Sequence, residues 1–447
     1  MRFNYLGHAS WLVEASGLRL MLDPLLHERH AGGVFEVVPR RRIDPKSIRA
    51  DFVFVSHAHF DHFDIDSLGA LARADPDTVF VTSDDLVAEV ASILGFSTVR
   101  VVAPGTQVEL SGGLSFTTTP SYAPEIEWGT LYRDATGSVW NLIDTVFPSP
   151  ADVAAIRAAV LGDAELDLAL APIQTLREIA LSTAGDVGFS PVDHRHLLAC
   201  AVATGAKTIA PSACGEALTQ PYDALNRYVY PVSRARATRD LQRFSPSTNT
   251  IAPRLGQAIV VEGGHIDLEP ASLPIEWLGE GDDPRFFAPI EPARMYDPNL
   301  DGRDPGEMRN AARAWCETDL APALGRSLGG REDAGRLSLV LEIVGPDDRF
   351  ALRFDGRGHC VGGTDPEYDV FVTVAESMLL DVIEGKRGWV EPLLAGLLRS
   401  SIRGAEISPG RCDPLQIAPI FPYYAIPYRR SIERAVIARA RAYASRR

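Results

Sequence analysis

Cysteine is scarce: five residues in 447, at Cys200, Cys214, Cys316, Cys360 and Cys412, with no CxxC pair. This argues against a disulfide framework and for a reducing compartment, so a cytoplasmic protein is expected. Positive charge is also in deficit. The net charge of -15 sets up a field that repels phosphate backbones and anionic membrane surfaces, although Arg40, Arg41 and Arg42 form a local basic cluster. No apolar stretch reaches the length of a membrane span, and Met1-Arg2-Phe3-Asn4 leads directly into strand-like sequence, so neither a spanning segment nor a signal peptide is expected. Internal repeats and low-complexity tracts are absent too. The composition is that of a soluble globular protein, and 447 residues are long for one core, so two domains are expected.

What the chain does have is a dense group of metal-binding side chains. Ser56-His57-Ala58-His59-Phe60-Asp61-His62-Phe63-Asp64 follows the apolar run Phe52-Val53-Phe54-Val55. A strand that ends in such a cluster delivers its ligands at a strand end, open to substrate. Imidazole and carboxylate donors in this number suit one or two ions of zinc, iron or manganese.

Before the cluster, Phe3–Leu6, Trp11–Glu14 and Leu18–Asp23 alternate apolar and polar residues between turns, which predicts an antiparallel ribbon. After it, a helix over Asp66–Ala72, a strand over Thr78–Thr82, a helix over Asp84–Leu94 and a strand over Thr98–Val102 predict a layered α/β domain. Asp23 ends the third strand before a proline, and His8 sits in a turn; the residues alone leave open whether His8 supports a metal site or only the turn.

Gly7-His8-Ala9-Ser10, Asp23-Pro24 and Ser56-His57-x-His59-x-Asp61-His62, in this order, resemble the metallo-β-lactamase superfamily, in its lactonase and CMP-N-acetylneuraminate hydroxylase branch. The resemblance covers about residues 1–270 and implies a four-layer αβ/βα sandwich. It implies that His57 and His59 bind one metal, that Asp61 and His62 bind a second, and that Asp23 anchors the histidine loop. Asp144, at the end of the hairpin formed by 128–132 and 139–145, stands where the superfamily has a bridging carboxylate.

Two of the superfamily's histidines are missing. Before the hairpin the chain has Glu125 and Glu127, which point to one side of an extended segment. Their alternative reading is a pair of solvated glutamates on an edge strand. After a later strand the chain reads Pro211-Ser212-Ala213-Cys214, where Cys214 suits a small buried residue better than a ligand. His194 and His196, in the first turn of a helix expected to be capped by Asp193, lie roughly 200° apart, so at most one of them faces a metal. Carboxylate in place of imidazole favours iron or manganese over zinc, and the site then resembles that of di-iron oxygenases of this fold.

Residues 271–305 are rich in proline and glycine and read as a linker. Beyond them a helix (306–324), strands (337–344, 349–354, 369–374) and helices (375–384, 389–398) resemble the sterol-carrier-protein-2 fold, giving an α+β domain over 306–447. The expected function is a non-haem di-iron oxygenase or oxidase using two metal ions, a small organic substrate and O2. Its ligands would be His57, His59, Asp61, His62, Glu125 or Glu127, Asp144 and His194 or His196. The alternative is a zinc- or manganese-dependent hydrolase of a lactone, phosphoester or sulfate ester, in which Asp61 orients or deprotonates the attacking water. Neither nucleic acid nor membrane is an expected partner, and a homo-oligomer stays open.

Overall fold

The structure, a computed structural model, describes residues 1–123, 126–174, 190–220, 223–278, 294–362, 367–415, 417 and 428–446. Two sheets face each other. The first has eight strands in the order His265–Pro270, Gln257–Glu262, Arg2–Gly7, Ser10–Ala15, Leu18–Leu22, Phe52–Val55, Val79–Thr82, Thr98–Val101. The second has seven, in the order Gln107–Glu109, Ser115–Pro120, Trp128–Asp134, Gly137–Asn141, Leu168–Pro172, Thr208–Ser212, Asn249–Thr250.

The ribbon read from the first residues is present, with Phe3 opposite Val13 and Val13 opposite Leu20. Its inward residues, among them Phe3, Tyr5, Trp11 and Leu20, meet Phe116, Trp128, Tyr132 and Leu168 of the second sheet in a shared core. Fully burying a side chain of this kind contributes about 1.5–3 kcal/mol. Helices Ile65–Ala74 and Asp85–Leu94 cover the outer face of the first sheet. Pro150–Leu161, Pro191–Ala203 and Arg234–Phe244 cover that of the second. This is the expected four-layer αβ/βα sandwich, with a further α+β unit attached.

Both sheets change from antiparallel to parallel pairing where the site forms. Leu18–Leu22 runs parallel to Phe52–Val55, and Gly137–Asn141, Leu168–Pro172 and Thr208–Ser212 run parallel to one another. Strands buried on both faces read as continuous apolar runs, as Phe52-Val53-Phe54-Val55 does. The parallel strands end level with each other, so Asp23, His57, Asp144 and the segment after Ser212 all leave the same edge of the sandwich.

The C-terminal unit has a sheet in the order Arg349–Phe354, Leu339–Val344, Val370–Ala375, Leu398–Ile402. Its outer helix is longer than expected: Pro305–Trp315 and Ala321–Leu328 are joined by a π-helical turn, Cys316–Leu320. The helix expected over 389–398 is shorter, Val390–Leu394. It is followed by Gly396 with φ +69°, a left-handed conformation that stops a helix and releases Leu398–Ile402 as an edge strand. Of the expected linker, residues 279–293 lie outside the described residues. The last helix, Tyr428–Ala444, expected with this unit, packs instead on the sandwich, where Ile432 and Ala440 join the core beneath Ile65–Ala74. Among the described residues, no helix is long and apolar enough to cross a membrane.

Candidate metal centre

The site is built around one buried carboxylate. Asp23 follows the strand Leu18–Leu22, and its Oδ1 accepts the Ser56 backbone N–H at 2.8 Å. Its Oδ2 accepts the Ser56 hydroxyl at 2.9 Å and lies 3.1 Å from His62 Nδ1. A carboxylate oxygen only accepts, so His62 carries its proton on Nδ1 and turns Nε2 into the site. The single proton of the Ser56 hydroxyl is committed to Asp23, so the contact of Ser56 Oγ with His57 Nδ1 at 2.8 Å places a proton on that nitrogen too. His57 Nε2 is therefore also turned inward. One carboxylate thus sets the tautomer of two rings, the arrangement that metal-ligating histidines use. The loop continues as a tight turn, His62 N and Phe63 N both bonding His59 O, and Asp64 then caps the next helix through the Ser67 N–H.

Among the described residues two sets of donor atoms converge, each within 4.8 Å: His57, His59 and Asp144, and His8, Asp61 and His62. His57 Nε2 and His59 Nδ1 are 2.8 Å apart. Asp144 belongs with the first set, and its Oδ2 lies 3.0 Å from His62 Nε2 of the second, so this residue links the two. His62 Nε2 is also 3.2 Å from Asp61 Oδ2.

His8, left open by the sequence, lies 3.0 Å through Nε2 from the same Asp61 oxygen, while its Nδ1 is buried without a partner. A bare ring nitrogen costs less there than an orphaned N–H, so His8 donates Nε2–H to Asp61 and orients that carboxylate.

Charge in the site is tightly coupled. Burial holds His57 well below the usual imidazole range, and His59 and His62 add to this, so the ring is neutral and suited to ligation. Burial opposes ionisation of Asp61, but the charge and hydrogen bonds of His62 and His8 outweigh it and hold the carboxyl well below the usual carboxylate range. Burial would lower His62, yet Asp61 and Asp144 raise it well above its ordinary value. A divalent ion can take the place of that proton among the same carboxylates, so the donor set fits a metal ion in each position.

Of the two glutamates read before the hairpin, Glu125 lies outside the described residues. Glu127 is buried and accepts the Ser121 hydroxyl at 2.8 Å. Burial and then the charge of Asp144 push it up to about 7, against the Ser121 hydrogen bond and the charges of His59 and His62; it belongs to neither donor set. The helix of His194 and His196 is capped by Ser190, not Asp193. His194 Nε2 meets Asp240 at 3.1 Å and His196 Nε2 meets the Phe147 carbonyl at 2.9 Å. Neither ring joins the two donor sets: both tie the helix to neighbouring segments. Cys214 packs in a small apolar group with Ile173, Val232 and Ala237.

The sequence reading passed over Glu216 and its partner His30. Glu216 is buried at the start of the short strand Glu216–Leu218, with Oε1 2.7 Å from His30 Nε2. The signal was available as a lone acid inside the buried run Ala213-Cys214-Gly215-Glu216-Ala217-Leu218.

Residues 2–147 match the model of the β-lactamase superfamily domain. A metal-dependent hydrolase of Salinibacter ruber is 26% identical over 175 residues, 39% of this chain and 72% of that protein. One of Opitutus terrae is 44% identical over 62 residues, 14% of this chain and 23% of that protein. The second match therefore spans less than a quarter of its relative's length. Among solved structures, CmlA, a diiron β-hydroxylase from Streptomyces venezuelae, aligns at TM-score 0.38 and 15% identity over 56% of this chain and 52% of that one. The superfamily expectation agrees with the match over residues 2–147, and the two curated relatives above carry the name of the alternative expectation, hydrolase, rather than that of the oxygenase.

Proposed function

We propose that this chain is a dinuclear metal-dependent hydrolase of a small ester-like substrate: a lactone, a phosphoester or a sulfate ester. The observation that carries this reading is the pair of convergent donor sets linked by Asp144, with Asp23 fixing the rings of His57 and His62 so that their Nε2 atoms face inward. When bound, divalent ions supply Lewis acidity, which polarises the scissile bond and lowers the pKa of water towards neutrality. The chain's own residues orient and handle protons. His8 holds Asp61 by the hydrogen bond from Nε2, and Asp61 is kept ionised. Glu127, with a carboxyl near 7, is suited to take up or release a proton at neutral pH. The relatives' names support hydrolysis.

In this reading the C-terminal unit serves as a wall: its Val344, Met378 and Leu397 pack with Phe35, Leu218 and Tyr228 of the sandwich.

One observation favours a second reading, the di-iron oxygenase. Asp61, Asp144 and Glu127 make the centre rich in anionic oxygen, which suits iron. The test is metal analysis after growth with both metals supplied, followed by assays on lactone, phosphodiester and sulfate-ester panels and by O2 uptake. Two zinc or manganese ions with turnover of one panel is the expected result. Two irons with a visible absorption band, O2 uptake and no hydrolysis overturns it in favour of the oxygenase.

A further inference from the structure

We propose that Arg41 is a positioning residue of the metal centre: its buried guanidinium fastens together the turns that carry His8 and Asp23. The inference rests on the dinuclear reading above.

Arg40, Arg41 and Arg42 read in the sequence as a local basic cluster, but the structure divides them. Arg40 pairs with Glu28 and Glu36 at 3.4 and 3.7 Å, and Arg42 with Glu276 at 3.0 Å, all where solvent reaches them. Arg41 is turned inward and fully buried. Its Nε donates to the Leu6 carbonyl at 2.6 Å, its Nη1 to the His27 carbonyl at 2.9 Å and its Nη2 to the Leu25 carbonyl. These acceptors are all backbone, and no carboxylate among the described residues pairs with it. A buried cation without a counter-charge is costly. What the chain gains from it is a rigid fork of N–H donors that reaches two segments at once.

Those two segments lead into the site. Leu6 precedes Gly7-His8, and Leu25 and His27 follow Asp23-Pro24. His8 and Asp23 both have left-handed backbone, with φ +50° and +39°. Such conformations are costly for residues other than glycine and persist where their surroundings over-determine them. Gly7, at φ +107°, lets the guanidinium approach: a Cβ there would lie 2.9 Å from Val37 Cγ1 and 3.3 Å from Arg41 Nε. The Ser10 hydroxyl donates to the Asp23 carbonyl at 2.5 Å and accepts the Leu25 N–H at 3.0 Å, which ties the two turns directly. Arg41 bridges the same two turns through Leu6 and Leu25. From Asp23 the hold passes to Ser56 and the rings of His57 and His62, and from His8 it passes to Asp61. Arg41 bonds none of the donor atoms of either set, but it holds the backbone behind both. Groups that orient ligands in this way set metal affinity along with the ligands themselves.

The experiment titrates chelator-stripped full-length protein with Zn²⁺, and in parallel with Co²⁺ to follow its visible bands. It compares wild type with Arg41→Met, Arg41→Lys, Ser10→Ala and Leu161→Ala, the last a cavity control in the core on the outer face of the second sheet. Arg41→Met and Leu161→Ala are both expected to melt lower when metal-free. Only Arg41→Met is expected to lose metal affinity, by about 10–100-fold, with weaker cobalt bands. Arg41→Lys, which keeps the charge with fewer donors, should lose less, and Ser10→Ala should change in the same direction as Arg41→Met. If Arg41→Met does not fold, Arg41→Lys and Ser10→Ala are set against Leu161→Ala with the same expectation. Wild-type affinity and bands in the Arg41 variants, or an equal loss in Leu161→Ala, contradict this proposal alone. One equivalent in wild type contradicts the dinuclear reading, and the comparison at that single ion still decides the role of Arg41. No bound metal in wild type contradicts both.

Discussion

On one flank of the metal centre a single carboxylate, Asp23, fixes the histidine loop through three contacts within hydrogen-bond distance between the ends of adjacent parallel strands. On the opposite flank His30 and Glu216 sit in short strands, and an apolar cluster made jointly with the C-terminal unit holds them. Phe35, Leu218 and Tyr228 of the sandwich meet Val344, Met378 and Leu397 there. Arg387 adds a bond from Nη1 to the Ala31 carbonyl at 3.3 Å, while its Nε holds Asp381 at 2.9 Å. The first flank is therefore stiff through local hydrogen bonds. The second depends on packing between distant parts of the chain, so each should fail by a different route.

The largest effect is expected on the stiff flank. Asp23→Ala leaves the buried partners Ser56 and His62 unsatisfied and should cost about 3 kcal/mol or more of stability. It should also reduce bound metal to below one ion per chain, read by elemental analysis beside thermal melting. Arg387→Ala should loosen the other flank by about 1–2 kcal/mol. Its signature is selective: the protein melts lower while both metal equivalents bind with unchanged affinity. Equal weakening of both would show that the flanks are not independent.

The pH dependence of the metal-free protein gives a smaller effect. Glu127 and Glu216 have folded values of about 7 and about 8 against an ordinary 4.5, so the folded protein keeps protons that the unfolded chain has released. Stability is therefore lost as pH rises, through about 7 for Glu127 and about 8 for Glu216. His57 and His30, held down by burial, act in the opposite sense only below the ordinary imidazole value of 6.5. His62, held well above 6.5, loses its contribution as pH rises, in the same direction as the carboxyls. The melting temperature of the stripped protein should thus fall from pH 6.5 to 8, and bound metal should flatten that slope. The smallest effect is expected at His194→Ala, which removes the bond to Asp240. Stability should fall by about 1 kcal/mol with bound metal unchanged.

The two flanks also differ in how far the sequence discloses them. The histidine loop is contiguous and follows an apolar strand, so residue type and spacing in one window reveal both the candidate ligands and the strand end. The four-layer fold was legible for the same reason, since its period-2 ribbon and β-α-β alternation are local signals. Glu216 and His30 are 186 residues apart, and they meet because Phe35–Val37 pairs with both Glu216–Leu218 and Arg29–His30. No local period encodes that. His194 and His196 misled for the complementary reason. A histidine beside a helix start is locally plausible as a ligand, but its tertiary partners, Asp240 and the Phe147 carbonyl, are set by the packing of Pro191–Ala203 against Arg234–Phe244 and the segment after Asp144. The break at Gly396 was visible as a residue, and its consequence came from the open edge of Val370–Ala375 that Leu398–Ile402 completes.

The central claim is that two ions sit at the strand ends, one in each donor set, with Asp144 between them. Anomalous diffraction at the zinc edge from zinc-loaded crystals tests it most directly. The account predicts two peaks, one among His57, His59 and Asp144 and one at Asp61 and His62. A single peak, or a peak bound by His194 or His196, would contradict it.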